Sequence, residues 1–219
     1  MADTPSPSGA RTGGPREERY EQLLLAAASA YAELGYHRTS VKTVVDRAGV
    51  ATGTFYLYFP TKEASALAII DRLYELVIGA VVKARSSHAT SLAKLAASVE
   101  AVLAAFSGHE ALAKVVLVQA PGAHPDFDRR LQAIHAELTG LVARDIQEAV
   151  DEGLAPAQDA ALSARCVVGA VYEILNGWMR DRQPPDPVAA APHLQAFILR
   201  GIGAGTPASG WAGAGGVTP

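Results

Sequence analysis

The chain is predicted to be all-α, on three observations. Apolar residues recur at three- and four-residue spacings through most of residues 16–201 of the 219-residue chain, the period of a helix with one buried face. The interruptions fall at glycine- and proline-containing pairs and leave segments of helical rather than strand length. No stretch alternates with period two. The most strand-like run, Val115–Val118, is too short to outweigh its helical surroundings.

Taken in order, residues 16–34 place Tyr20, Leu23, Leu24, Ala27, Ala28, Tyr31 and Leu34 on one face and stop at Gly35. Residues 40–48 form a short helix with Val41, Val44, Val45 and Ala48 inward, ending at Gly49. A third short helix covers 52–59 and is closed by Pro60, which cannot continue it. Thr61 then N-caps a long helix to about residue 85. Further helices fit 90–106, 110–119, 126–152, 159–181 and 188–201, separated by Ser107-Gly108, Pro121-Gly122, Gly153 to Pro156 and Pro184-Pro185.

Gly, Pro and Ser gather at the two ends. Residues 1–15 and 202–219 lack apolar periodicity and read as disordered tails, with Trp211 the one residue there suited to docking. No apolar leader and no uncharged run of 18 or more apolar residues appears, so neither secretion nor membrane spanning is expected and the cytoplasm is the expected compartment. A single cysteine, Cys166, cannot make an internal disulfide, in keeping with that compartment. The net charge is −3, but its distribution is uneven. Between Leu34 and Lys62, four basic residues (Arg38, Lys42, Arg47, Lys62) oppose Asp46 alone, whereas from Glu63 onward 16 acidic residues outnumber 12 basic ones. One polyanion-facing module on an acidic body is the organisation this suggests.

Within that basic segment, Phe55, Tyr56, Tyr58 and Phe59 occupy four of five positions in a chain that is 6% aromatic. Burial explains the phenylalanines. It does not explain two tyrosines at i and i+2, which leave a helix on different sides. Two short helices around a Gly49-Val50 turn make a helix-turn-helix candidate, with Val45, Val50 and Phe55 packing the pair together.

Gly35-Tyr36-His37-Arg38-Thr39-Ser40-Val41, Ala48-Gly49-Val50-Ala51, Gly53-Thr54-Phe55-Tyr56-Leu57-Tyr58-Phe59 and Lys62-Glu63 closely resemble the DNA-binding signature of TetR-family regulators. The signature covers residues 16–65. Two departures are Ala51, where a capping serine is common, and Thr52, at a variable position often filled by Lys or Arg. The resemblance implies a helix-turn-helix DNA-binding domain over 16–62 and a helical ligand-binding and dimerisation domain over 63–201. It implies that Tyr56 and Tyr58 hydrogen-bond phosphates on the groove walls, that Lys62 and Thr39 add phosphate sites, and that Ser40 and Lys42 lie on the same surface. Thr52, Gly53 and Thr54 are the candidates for base contact. With little Arg, Asn or Gln on the helix over 52–59, thymine-methyl contacts, Lys42 and DNA shape are expected to supply much of the specificity.

For the rest of the chain the resemblance implies a homodimer through helices 159–181 and 188–201, a palindromic double-stranded operator, and a small hydrophobic effector. Gln119, His124, Phe127, His135, Tyr172 and Asn176 are the candidate effector contacts, with Arg129 and Arg130 at the pocket mouth and no cation deep inside. Ala120 to Phe127 resembles a loop of TetR regulators of lipid or acyl-CoA metabolism. The expected activity is a repressor released by a hydrophobic or amphipathic ligand such as a fatty acyl group or acyl-CoA. The other readings are a helical enzyme or carrier, or a sensor of redox state or metal. His109, His124 and His135 lack metal-ligand spacing, Gly201 to Gly205 follows no strand, and neither a cofactor nor a catalytic residue is expected.

Overall fold

The structure, a computed structural model, describes residues 14–204. All of its regular elements in that range are helical: α1 (Pro15–Leu34), α2 (Val41–Ala48), α3 (Thr52–Tyr58), α4 (Lys62–Arg85), α5 (Ser91–Gly108), α6 (Glu110–Lys114), α7 (Pro125–Asp151), α8 (Ala160–Asp181) and α9 (Ala191–Gly201). The expected tails lie outside the described residues, Trp211 among them, except at their inner edges. There Pro15 opens α1, where its missing N–H costs nothing. Ile202 is buried and its carbonyl accepts from Gln158 Nε2 at 2.8 Å.

Local chemistry sets the boundaries. Ser40, Thr61, Thr90 and Asp159 each cap a helix by accepting from the backbone N–H three residues on, satisfying donors that otherwise have no partner. Gly49 takes a left-handed φ of 66° and its N–H closes the end of α2 on Val45 and Asp46 carbonyls, which lets the chain reverse into α3. Ala51 provides no side-chain cap for α3, and extended Phe59 before Pro60 ends it.

Two boundaries differ from expectation. Helix 110–119 is α-helical only to Lys114; Val115–Gln119 widens into a π turn, the kind of irregularity that re-aims side chains. The last helix begins at Ala191 rather than 188, because Pro192 fits only in a first turn. By length and mean hydropathy, 1.3, α5 is apolar enough to cross a membrane. It nevertheless carries Lys94 and Glu100 and packs against α4, α7, α8 and α9.

One continuous core runs through the chain. Leu23, Leu24, Tyr31, Val44, Val45 and Phe55 fill the space between α1, α2 and α3. α4 leaves this cluster and runs along α5 and α7, with α8 and α9 completing a bundle. α6 and the π turn pack back onto α1 and α4, so the helix-turn-helix module and the bundle meet there.

Candidate functional site

The helix-turn-helix is held from inside by its aromatic residues. Phe55 and Phe59 are 0% and 2% exposed with ring centroids 5.4 Å apart. Tyr20 of α1 lies 5.2 Å from Phe59 and 6.3 Å from Tyr58, leaving Tyr58 half-buried beside the start of α1. Tyr56 and Leu57 stand out into solvent, as do Thr52 and Gly53, while Thr54 is half-buried. Ser40 and Lys42 are exposed next to α3. Lys42 pairs with Asp46 at 2.8 Å, a surface contact too weak to hold it against a phosphate.

Two sequence-predicted phosphate ligands are otherwise engaged. Thr39 is buried, and its hydroxyl donates to the Gly35 carbonyl at 2.8 Å with the Ala30 carbonyl at 3.3 Å. Lys62 turns inward, donating to the carbonyls of Tyr36 and Thr39 at 3.1 and 3.2 Å, with Nζ 4.2 Å above the Tyr36 ring. Both residues hold the module's shape, since an inward cation in this pattern satisfies two loop carbonyls. Arg47 likewise binds Ser29 and Glu33. That leaves the exposed Arg38, anchored by Nε to the Leu34 carbonyl, as a cation on this surface that sequence reasoning did not single out.

Tyr36 joins the module to the bundle. Its ring is edge-on to Tyr31, His37 and Phe127 of α7. Its N–H donates to Gln119 Oε1 at 3.3 Å and its hydroxyl to Glu63 at 3.0 Å. Burial, and secondarily the Glu63 carboxylate, pushes the Tyr36 phenol above its ordinary range. Burial also pushes Tyr31 up to about 12. Glu63 is held below the usual carboxylate range, first by its own backbone N–H at the start of α4 and then by the Tyr36 and Thr61 hydroxyls.

A cavity of about 260 Å³ lies between α4, α5, α7 and α8. Its wall is almost wholly apolar, built from Ile78, Val81, Val82, Leu95, Val99, Val102, Phe106, Leu138, Leu141, Val142, Val167, Val168, Val171 and Leu175. His135 and Tyr172, both exposed, stand at its open side. Arg85, Ser98 and Asp145 stand together at the end farthest from the helix-turn-helix. Arg85 grips the buried Asp145 through two bonds of 2.5 and 2.6 Å and reaches Ser98 at 3.2 Å. Its hydrogen bonds to Asp145 push the Arg85 guanidinium further above its already high ordinary range, so Arg85 keeps its charge.

Residues 23–69 match the family model described as bacterial regulatory proteins, tetR family. This segment carries the DNA-binding domain of the tetR family. It is similar along most of its length to the fatty acid metabolism regulator protein of Bacillus subtilis, 27% identical over 85% of this chain and 97% of that one. It is 34% identical to the transcriptional activator FasR of Mycolicibacterium smegmatis over 43% of this chain and 45% of that one. Among solved structures, the fold matches the transcriptional regulator FadR from Bacillus subtilis in complex with stearoyl-CoA, with a TM-score of 0.75 at 24% identity, covering 84% and 99% of the two chains. The protein is therefore a DNA-binding transcriptional regulator rather than an enzyme.

Against this TetR framework, the six expected effector contacts divide. His135 and Tyr172 line the cavity. Gln119 and Phe127 instead belong to the Tyr36 junction, Phe127 fully buried there. His124 caps α7 by accepting from the Asp126 N–H, and Asn176 donates to the Tyr172 carbonyl one turn back. Arg129 pairs with Asp126, and Arg130 with Asp71 at 2.5 Å, so neither meets the cavity mouth. The expectation of no cation inside fails at Arg85. Its signal was present: Arg85 continues the stripe Ile78, Val81, Val82 on α4, and Asp145 continues Leu138, Val142 on α7. A charge of each sign on two facing apolar stripes announces a buried pair.

Proposed function

We propose that the protein is a homodimeric repressor that occupies a palindromic operator and is released when a fatty acyl chain enters the cavity between α4, α5, α7 and α8. The observation that carries this is the cavity itself. Its apolar wall offers almost nothing to a hydrophilic metabolite, and its polar side chains at the far end already satisfy one another. A fatty acid regulator along nearly the whole chain supports the same class of effector. At about 30 Å³ per water-sized group, the cavity of about 260 Å³ accepts roughly nine methylenes, with a polar head at the open side near His135 and Tyr172.

DNA contact falls to Thr52, Gly53 and Thr54 for bases, Tyr56 and Tyr58 for the two groove walls, and Ser40 and Lys42 for flanking phosphates. The reading module ends at Lys62 and the effector domain runs from Glu63 to Gly201. Dimerisation is assigned to α8 and α9, whose outward side carries Leu162 and Phe197, each 59% exposed, beside Cys166 and Gly169. Apolar side chains so placed on adjacent helices suit a two-fold contact. The cytoplasm is the compartment where such a protein meets DNA.

The test is fluorescence anisotropy of the full chain on DNA from upstream of its own gene, titrated with acyl-CoA and free fatty acids of graded length. Acyl ligands are expected to release the DNA, and a hydrophilic metabolite or metal ion is not. Release by the hydrophilic compounds alone would overturn the assignment.

A further inference from the structure

We infer that Leu57 is the centre of sequence reading by α3 and that it recognises the C5-methyl group of a thymine in the major groove. This rests on the DNA-binding reading above and adds to it a residue and the base feature that it recognises. Leu57 is 76% exposed, although the other large apolar residues of the same helix, Phe55 and the adjoining Phe59, are 0% and 2% exposed. An isolated exposed leucine ordinarily needs no explanation. This one has a position that does.

At 3.6 residues per turn, two residues are about 200° of rotation. Leu57 is two residues from both Phe55 and Phe59, so it points directly away from the face that buries them. Tyr56 and Tyr58 are each about 100° to one side of it. If Leu57 enters the groove, the two hydroxyls therefore reach opposite walls, which accounts for tyrosines at i and i+2. Gly53 lies one turn earlier on the Leu57 face. A Cβ there would touch nothing within 4 Å, and its φ is not in the left-handed region. The fold thus has no use for glycine at a helical position where alanine is the better former by roughly 1 kcal/mol. What the missing side chain permits is close approach by something outside the protein.

The chemistry then selects the target. Leucine has no donor or acceptor, and the one apolar feature that a base pair displays in the major groove is the thymine methyl. No Arg, Asn or Gln stands on α3 to compete for bidentate readout.

The test uses the full chain and an operator it selects from a random duplex pool. Each thymine of one half-site is replaced in turn by deoxyuridine, which removes only the methyl. One position is expected to lose about fourfold in affinity, as for one buried carbon, and about fifteenfold when both half-sites are changed. Leu57→Ala is expected to erase that sensitivity at that position while its melting temperature stays unchanged. Gly53→Ala is expected to weaken binding to every duplex with no loss of thermal stability. An operator that shows no deoxyuridine-sensitive position, or a sensitivity that persists in Leu57→Ala, overturns the inference and leaves the DNA-binding reading intact. If no sequence is enriched at all, the reading beneath it falls, and this inference with it.

Discussion

Removing Asp145 alone is expected to destabilise the protein far more than removing its ion pair altogether. Both carboxylate oxygens accept from Arg85, at 2.5 and 2.6 Å, and the two side chains are 4% and 25% exposed. Asp145→Ala leaves a guanidinium in a largely apolar wall, a situation that costs about 3–5 kcal/mol. Partial water access and the bond to Ser98 relieve some of that, so about 3 kcal/mol is the expected figure. For a chain of this length, where 1 kcal/mol moves the midpoint by about 2–4 °C, the fall is about 6–12 °C. Arg85→Met with Asp145→Leu replaces the pair by apolar groups and is expected to be neutral or stabilising. Calorimetry and urea unfolding at one fixed protein concentration provide the assay, so that any self-association contributes equally to every variant. A loss under about 1 kcal/mol for Asp145→Ala, or a double variant worse than the single one, would refute the reasoning.

Tyr56→Phe and Tyr58→Phe should each weaken operator and non-specific duplex alike by about 1 kcal/mol, read by anisotropy; equal affinity in the double variant removes them from the phosphate contacts. Lys62→Met, which loses two charged hydrogen bonds worth about 1.5–3 kcal/mol each, should lower stability by about 3 kcal/mol, the low end for a partly exposed pair of bonds of 3.1 and 3.2 Å, with the slope of log affinity against log salt unchanged. A salt slope smaller by about one, at unaltered stability, would instead make Lys62 a phosphate ligand. Glu63 is depressed in the folded state, so its stabilisation is complete above the unfolded carboxyl pKa, near 4.3, and is lost as pH falls through the folded value. The stability gap between the protein and Glu63→Gln should therefore begin to narrow as pH falls below the unfolded value and vanish once pH is under the folded one, and a gap independent of pH would count against it. Val171→Trp, filling a half-buried stretch of the cavity wall, should abolish the response to acyl ligands while DNA affinity persists.

The helices were legible because each carries its signal locally: Ser40 and Thr61 as caps, Gly49 as the reversal, Pro60 as the stop. The helix-turn-helix was legible for the same reason, since Val45, Val50 and Phe55 meet within one short segment. What local pattern does not encode is which way a long side chain turns. Lys62 looks like a phosphate ligand in sequence, yet the carbonyls that claim it belong to Tyr36 and Thr39, more than twenty residues earlier. Gln119 and Phe127 read in sequence as cavity residues, yet they pack at the Tyr36 junction. Their partner Tyr36 is more than eighty residues away, and the π turn that brings Gln119 to it has no signature among Val115–Val118.

How the cavity bears on the operator is constrained by α4. Its 24 residues span about 36 Å, from Lys62 beneath Tyr36 to Arg85 at the far end of the cavity. α7 runs beside it, tied by Arg130 to Asp71, Tyr74 to Glu137 and Arg85 to Asp145, and its Phe127 touches the same Tyr36. A wedge between these two helices therefore has two routes to the helix-turn-helix, one through each side of the Tyr36 ring. Burying about nine methylenes is worth about 7 kcal/mol. That energy moves nothing if the cavity is equally good in the operator-bound and released arrangements of the proposed dimer, and reversing occupancy from 99:1 to 1:99 takes a difference of about 5.5 kcal/mol. Most of the chain's burial must then be available only in the arrangement that does not fit the operator. An acyl chain that saturates the free protein but binds the operator complex as tightly would be a ligand without being an effector, however apolar its site.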